Sequence, residues 1–285
     1  MLDVFRYVVA IARHGTITAA AREAGISQPA LTTALRRLES QLETTLFIRG
    51  RKGAELTAAG RALLPHAERA IGAVETGVRA VREVEGLSRG EVRVAAGATV
   101  CTYVLPPVIA SFRKKHPGIR FAVTESTQDE AMDALEKGEV DLAVLGSRAG
   151  EALLVDEMIV VASPKLEVVA DTPIVAFRAG GSTRQLSDRY LASREIAMEL
   201  GSVGAVLANV EAGVGVALVS RVAALRGLGR GTLVEVPDPR MPIVRTLRLV
   251  HRGRHLLSPA AASFRRALLA AREAKVSTGP ERGRR

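Results

Sequence analysis

The sequence predicts an α/β protein in which a winged helix-turn-helix and a long linking helix precede a two-lobed α/β domain. Three observations carry this expectation. A pattern of helix, tight turn and helix fills the first forty residues, and a heptad-like apolar seam runs from Gly60 to Val84. From Glu91 onward, short apolar stretches with strand character alternate with helical ones.

Leu2, Phe5, Val8, Val9 and Ala12 recur at helical spacing and end at His14-Gly15, where glycine supplies a left-handed C-terminal turn. Thr16 is placed to cap a short second helix, Ile17 to Ala24, whose Ala19-Ala20-Ala21 run admits a close neighbour. Gly25 ends it and Ile26 fills the turn. Ser27 then caps a third helix with Pro29 in its first turn, where a missing N–H costs nothing.

In that helix Leu31, Leu35, Leu38 and Leu42 form one apolar stripe, leaving Gln28, Thr32, Thr33, Arg36 and Arg37 off it. Gln pairs bidentately with adenine, Thr offers a hydroxyl and a methyl to thymine, and Arg takes guanine or phosphate. This reads as a recognition helix whose DNA-facing set is Ser27, Gln28, Pro29, Ala30, Thr32, Thr33, Arg36 and Arg37. Leu46-Phe47-Ile48-Arg49 and Ala54-Glu55-Leu56 flank a basic, glycine-bounded tip and read as a wing. Its Arg49, Arg51 and Lys52 are expected to reach phosphates or the minor groove.

Ala20-Ala21, Ser27-Gln28-Pro29-Ala30, Leu38-Glu39, Leu46-Phe47-Ile48-Arg49 and Leu56-Thr57-Ala58-Ala59-Gly60 resemble, in order and spacing, the DNA-binding domain of LysR-type transcriptional regulators. Two positions depart from that pattern. Ala24 stands where the family usually has a leucine, and Glu43 where it usually has a glycine.

From Ala58 to Val84, Gly60, Leu63, Ala67, Ala70, Val74, Gly77, Val81 and Val84 alternate at spacings of three and four, with Leu64, Ile71 and Val78 beside them. Pro65 predicts a local bend or a loosened first turn. A helix of this length extends roughly 40 Å at 1.5 Å per residue. The seam outruns a small winged domain, so pairing with the same helix of a second chain is expected, and the resemblance implies the same. Gly86-Leu87-Ser88-Arg89-Gly90 reads as a hinge.

Beyond it, candidate strands are Val92 to Ala96, Phe121 to Thr124, Leu142 to Leu145 and Ile159 to Ala162, with helices at Tyr103 to Lys115 and Asp129 to Glu136. A second group has strands near Ile174 to Phe177, Ile196 to Glu199, Val216 to Val219 and Leu233 to Val236, with helices near Arg184 to Leu191 and Val203 to Glu211. Thr246 to His251 reads as a strand returning to the first group, and Pro259 to Ala271 as a closing helix. Two α/β lobes joined by two crossing strands enclose a cleft, and this half resembles the periplasmic-binding-protein-like effector domain of the same family. Looser motifs carry that likeness, among them Asp141-Leu142-Ala143-Val144 and Gly213-Val214-Gly215-Val216-Ala217-Leu218. The stretch from Val160 to Ala176 looks shorter than the family norm.

The boundaries that follow are 1–57 for the winged domain, 58–86 for the linking helix and 91–271 for the effector domain. Lobe I takes about 91–163 and 248–271, lobe II about 164–247, and 272–285 reads as a disordered basic tail. Ligands in such folds bind where strands end and helices begin, because free N–H groups and the helix dipole favour anions there. The expected effector-binding set is Thr99, Val100, Cys101, Thr102, Thr127, Ser147, Arg148, Ser182, Thr183 and Ser202, suited to a small carboxylate or other anion. Cys101 near a helix start has the placement of a reactive thiol, but without a second cysteine to resolve an oxidised form a buried or ligand-lining role is expected.

A formal charge of +10 over 285 residues favours a polyanionic partner. One cysteine excludes an intramolecular disulfide and fits a reducing compartment, and the opening residues carry no apolar run ending in a cleavage site, so a cytoplasmic location is expected. The five histidines lack metal-ligand spacing, and neither a catalytic triad nor a phosphate-binding glycine loop is present in the sequence, so neither enzymatic activity nor a metal or other cofactor is expected. Double-stranded DNA, a small-molecule effector and a second or fourth copy of the chain are the expected partners, RNA polymerase is a further candidate, and a membrane is not expected. Two alternatives stand beside this reading. One is a two-lobed small-molecule-binding module or enzyme with a helical N-terminal appendage, and the other a DNA-organising protein without an effector.

Overall fold

The computed structural model describes residues 1–50, 53–82, 90–146 and 148–277. Arg51, Lys52, Ser147, the hinge residues 86–89 and positions 278–285 therefore lie outside the described residues. The chain divides into two compact units, Met1–Arg82 with Glu136–Glu139, and Glu83–Leu135 with Val140–Arg285.

In the first unit, α1 (Leu2–His14) closes on Gly15, whose φ of 69° lets its N–H return to the Ile11 carbonyl. Thr16 caps α2 (Ile17–Glu23) by accepting the Ala19 N–H, and Ser27 caps α3 (Gln28–Gln41) by accepting the Ala30 N–H, both at 3.3 Å. Val8, Ile11, Ala20, Leu31, Leu35 and Leu46 are packed into one core. The wing strands β1 (Phe47–Gly50) and β2 (Gly53–Leu56) pair antiparallel. Glu39 fixes their start, its carboxylate accepting the Leu46 N–H at 2.7 Å.

Thr57 joins wing to helix. Its hydroxyl donates to the Thr45 carbonyl at 2.7 Å and accepts the Gly60 N–H at 2.9 Å, capping α4 (Ala58–Arg82). Gly60 is required by contact, since a Cβ there would lie 2.2 Å from the Leu46 carbonyl oxygen. Pro65 lies inside α4 without ending it. Ala59 and Leu63 pack on the winged core, whereas Val74, Val78 and Val81 are 44%, 45% and 73% exposed. Only the beginning of the apolar seam is therefore packed on the winged core.

The second unit opens with β3 (Gly90–Ala96) and a π-helical turn, Val100–Val104, that runs into α5 (Leu105–Lys115). Then come β4 (Ile119–Glu125), α6 (Gln128–Lys137), β5 (Leu142–Leu145) and the long β6 (Glu151–Ala162). The second lobe supplies β7 (Ile174–Phe177), α7 (Ser182–Tyr190), β8 (Ile196–Leu200), α8 (Val203–Glu211), β9 (Ala217–Ser220), α9 (Arg221–Arg230) and β10 (Val234–Glu235). Return is through β11 (Ile243–Val250) and α10 (Pro259–Ser277).

The central sheet has the order β10-β6-β11-β5-β3-β4, with β9 also paired to β6; β3 runs parallel to β4 and β5, and β7 and β8 form a separate parallel pair. The crossing strands β6 and β11 pair antiparallel from Met158–Ile243 to Glu151–Leu249. Lobe I is filled by Phe112, Phe121 and Phe264, stacked edge to face at 4.7–5.8 Å.

Two expectations are corrected, and one helix is new. Ile159–Ala162 was expected in lobe I but belongs to lobe II, because its alternate side chains bury on both faces of that lobe, Ile159 and Val161 with Val206 and Val210, Val160 and Ala162 with Ile174 and Leu218. The closing helix runs six residues past Ala271, so positions 272–277, expected in the tail, are helical. Helix α9 was not anticipated, because Gly227 and Gly229 lower its helical propensity. The close packing over it explains one glycine: a Cβ at Gly227 would lie 2.5 Å from Leu233 Cδ1.

Candidate nucleic-acid interface and ligand cleft

Burial of Leu31, Leu35 and Leu38 turns the opposite face of α3 outward. Ser27, Gln28, Pro29, Ala30, Thr33, Arg36 and Arg37 are all exposed. The guanidinium groups of Arg36 and Arg37 have no acidic partner among the described residues, which leaves two positive charges for phosphate or guanine. The two threonines differ from expectation. Thr33 donates its hydroxyl to the Pro29 carbonyl at 2.9 Å, which leaves its methyl as the group to meet a base. Thr32 is half-buried and its hydroxyl oxygen is shielded, without a hydrogen-bond partner, so the helix does not present it. Arg49 lies in β1, while Arg51 and Lys52 are outside the described residues.

Within the second unit, a cleft of about 330 Å³ lies between the lobes. Lobe I contributes Gly97–Val100, the run from Glu125 to Gln128, and Gly146; lobe II contributes Phe177, Arg178, the first turn of α7 and Gly201. Arg245 and Leu247 reach it from β11. Gly181 precedes α7 and offers no side-chain cap, so the first N–H groups of this helix keep their polarity for a ligand.

Thr127 and Glu130 form a reciprocal capping box. The carboxylate accepts the Thr127 N–H at 2.8 Å and its hydroxyl at 2.9 Å, and these bonds hold the Glu130 pKa below its ordinary value. Arg245 is held by Asp156, a fully buried carboxylate on β6, at 2.9 and 2.8 Å, and also reaches Ser182 Oγ at 3.3 Å. The other Asp156 oxygen accepts the Ser220 hydroxyl, so a chain of bonds ties the cleft edge to both crossing strands and to the start of α9. Arg184 is tied to Asp188, Glu199 and the Phe177 carbonyl, and the two carboxylates, Asp188 first, raise its pKa further.

Residues 2–61 match the family described as bacterial regulatory helix-turn-helix protein, lysR family, and residues 85–273 match the LysR substrate binding domain. The chain is a member of the LysR family of transcriptional regulators. A RuBisCO operon transcriptional regulator of Allochromatium vinosum is 32% identical over 94% of this chain and 95% of its own length. The uncharacterised HTH-type transcriptional regulator YeiE of Escherichia coli K12 is 33% identical over 90% and 92%. Among solved structures, full-length LysG of Corynebacterium glutamicum with bound effector Arg superposes with a TM-score of 0.70 over 96% of this chain and 98% of that one; at 18% identity it shows the fold alone.

In this LysR-family regulator the structure brings Thr99, Val100, Thr127, Ser182 and Thr183 to the cleft as expected from the strand-to-helix junctions. Cys101, Thr102, Arg148 and Ser202 are not in its lining, and Ser147 is not described. Beyond the first residues of the turn, Cys101 points inward, its thiol donating to the Ala96 carbonyl at 3.3 Å, and Thr102 faces solvent. Burial, with the Glu125 charge second, pushes the Cys101 pKa up to about 11, which matches the buried alternative rather than a ligand-lining or reactive thiol. Arg148 is exposed outside the cleft, and the Ser202 hydroxyl is used as the cap of α8, accepting the Ala205 N–H.

Glu125, Phe177, Arg178, Arg184 and Arg245 were missed. Glu125 and Arg178 lie at or just past the ends of β4 and β7, where the strand-end rule points. Arg245 has no such signal, because only the crossing of β11 beneath the cleft places it there. No described helix is long and apolar enough to cross a membrane.

Proposed function

We propose that this LysR-family regulator acts as a homodimer or a pair of dimers in the cytoplasm. It places two copies of α3 on a partly palindromic promoter site, and a small molecule with an anionic group, held in the interlobe cleft, alters that binding. The observation that carries the DNA half is the outward face of α3, where Gln28, Arg36 and Arg37 stand exposed beside a back-bonded Thr33. Gln28 and the Thr33 methyl serve base readout, Arg36 base or near-base contacts, and Arg37 with Arg49, Arg51 and Lys52 the phosphate backbone or minor groove. The exposed valines of α4 support self-association, and the uncapped start of α7 beside Arg245 supports an anionic group in the cleft. RNA polymerase is the further partner this role calls for.

The test is recovery and sequencing of sheared genomic DNA bound by the purified protein at about 150 mM salt, where the Debye length of about 8 Å screens weak electrostatic binding. A few intergenic fragments sharing a partial palindrome are expected. Uniform recovery would instead favour the DNA-organising reading.

A further inference from the structure

We propose that the ligand of the cleft is a free amino acid, a small zwitterion whose cationic end meets lobe I and whose carboxylate meets lobe II. This rests on the reading of the cleft as the effector site and adds the second charge.

Five charged residues line the cleft, and they are segregated by lobe. Glu125 and Glu130 come from lobe I, Arg178 and Arg184 from lobe II, and Arg245 from the crossing strand. Three already have built-in partners: Glu130 stays charged but is hydrogen-bonded by the Thr127 N–H and hydroxyl, Arg184 is paired with Asp188 and Glu199, and Arg245 with Asp156. Two are left over. The carboxylate of Glu125 and the guanidinium of Arg178 are exposed and have neither a hydrogen bond nor an ion pair among the described residues, one charge of each sign on opposite walls.

A ligand that fills the cleft strips water from both, and a charge desolvated without a partner is costly. A simple carboxylate or a dicarboxylate matches Arg178 but sets like charge near Glu125. A simple amine does the reverse, and an uncharged ligand leaves both unpaired. A zwitterion satisfies the two together, with the spare N–H groups at the start of α7 on the same wall as Arg178 to share its carboxylate. Val100, Leu145, Phe177 and Leu247 line the space between and suit an apolar body. The volume of about 330 Å³ sits at the low end of the roughly 300–1,000 Å³ common for ligand pockets, which suits a molecule of amino-acid size.

The test is isothermal titration of the full-length protein with each of the twenty protein amino acids, β-alanine and γ-aminobutyrate. The matching deaminated acids and amides, and the dicarboxylates succinate and glutarate, are titrated in parallel. At least one amino acid is expected to bind, with its deaminated acid and its amide each about 10-fold weaker or more, as one lost charge contact of about 1.4 kcal/mol gives. Glu125→Gln should erase the preference over the deaminated acid, and Arg178→Gln the preference over the amide; both positions are exposed, and unchanged melting of the unliganded variants checks their folding. A carboxylate or dicarboxylate binding as tightly as any amino acid overturns the zwitterion while leaving the anionic effector standing. Binding indifferent to both variants, or no amino acid binding, also overturns it. Failure of a whole-cell metabolite extract to shift the melting temperature counts against the effector reading itself.

Discussion

Glu43 holds a left-handed backbone, with φ of 52°, at the turn that leads from α3 toward the wing. An L side chain in that conformation costs about 1–2 kcal/mol, part of which glycine returns through its freer unfolded chain. Glu43→Gly is expected to stabilise the winged domain by about 0.5–1 kcal/mol, read from its urea midpoint. The departure from the family's glycine thus leaves the turn in place and adds local strain. At the reading face, Gln28→Ala should cut the ratio of operator to mismatched-site affinity by an amount worth about 1–3 kcal/mol; an unchanged ratio in competition binding would sink the assignment. Cys101 should alkylate at pH 8 on the order of 100-fold more slowly than a free cysteine, since its pKa near 11 leaves little thiolate. Caps such as Thr16 and Ser27 were legible because they act on an N–H three residues away, while the inward turn of Cys101 depends on a π-helical turn that no local pattern announces.

Among the elements, α4 carries the clearest exposed consequence. Val74, Val78 and Val81 recur at spacings of four and three on an open face, and a Val78→Asp change places a charge at the centre of that row. The variant is expected to shift the sedimentation profile toward monomer, whereas an unchanged profile removes this face from the interface. The helix itself was readable from its period, but which half of the seam packs on the winged domain was not, because that depends on where Leu63 meets the folded core. Strands β6 and β11 show the same division. Their apolar runs were visible, yet the assignment of Ile159–Ala162 to lobe II arises from pairing with β9 and β10, and the placement of Arg245 beneath the cleft from pairing with β6, all across long stretches of sequence. Asp156→Ala should therefore cost about 3–5 kcal/mol in thermal or chemical unfolding, since it leaves the Arg245 guanidinium without its buried carboxylate.

For the whole molecule, coupling between effector and DNA must be reciprocal: the factor by which an effector changes DNA affinity is the factor by which operator DNA changes effector affinity, and paired titrations check it. Stability at low pH has a nameable contributor in Glu151, whose pKa is lowered chiefly by its bonds to Arg265, with Arg254 adding to it. A lowered carboxyl pKa stabilises the fold above the ordinary value of 4.5 and loses that contribution as pH falls below it, so Glu151→Gln should flatten the acid limb of the stability profile. The two-lobed plan was legible from the alternation of strands and helices, whereas the charge segregation across the cleft emerges only when distant stretches meet. The same plan sets an order on biosynthesis. The central sheet of lobe I needs β11, and its aromatic core needs Phe264, both of which leave the ribosome after every element of lobe II. A nascent chain that has just emitted Arg230 holds the greater part of its second lobe while Phe112 and Phe121 still lack their third ring. The earlier-made lobe is thus the later to close, and it depends on α10 being emitted before its core is complete.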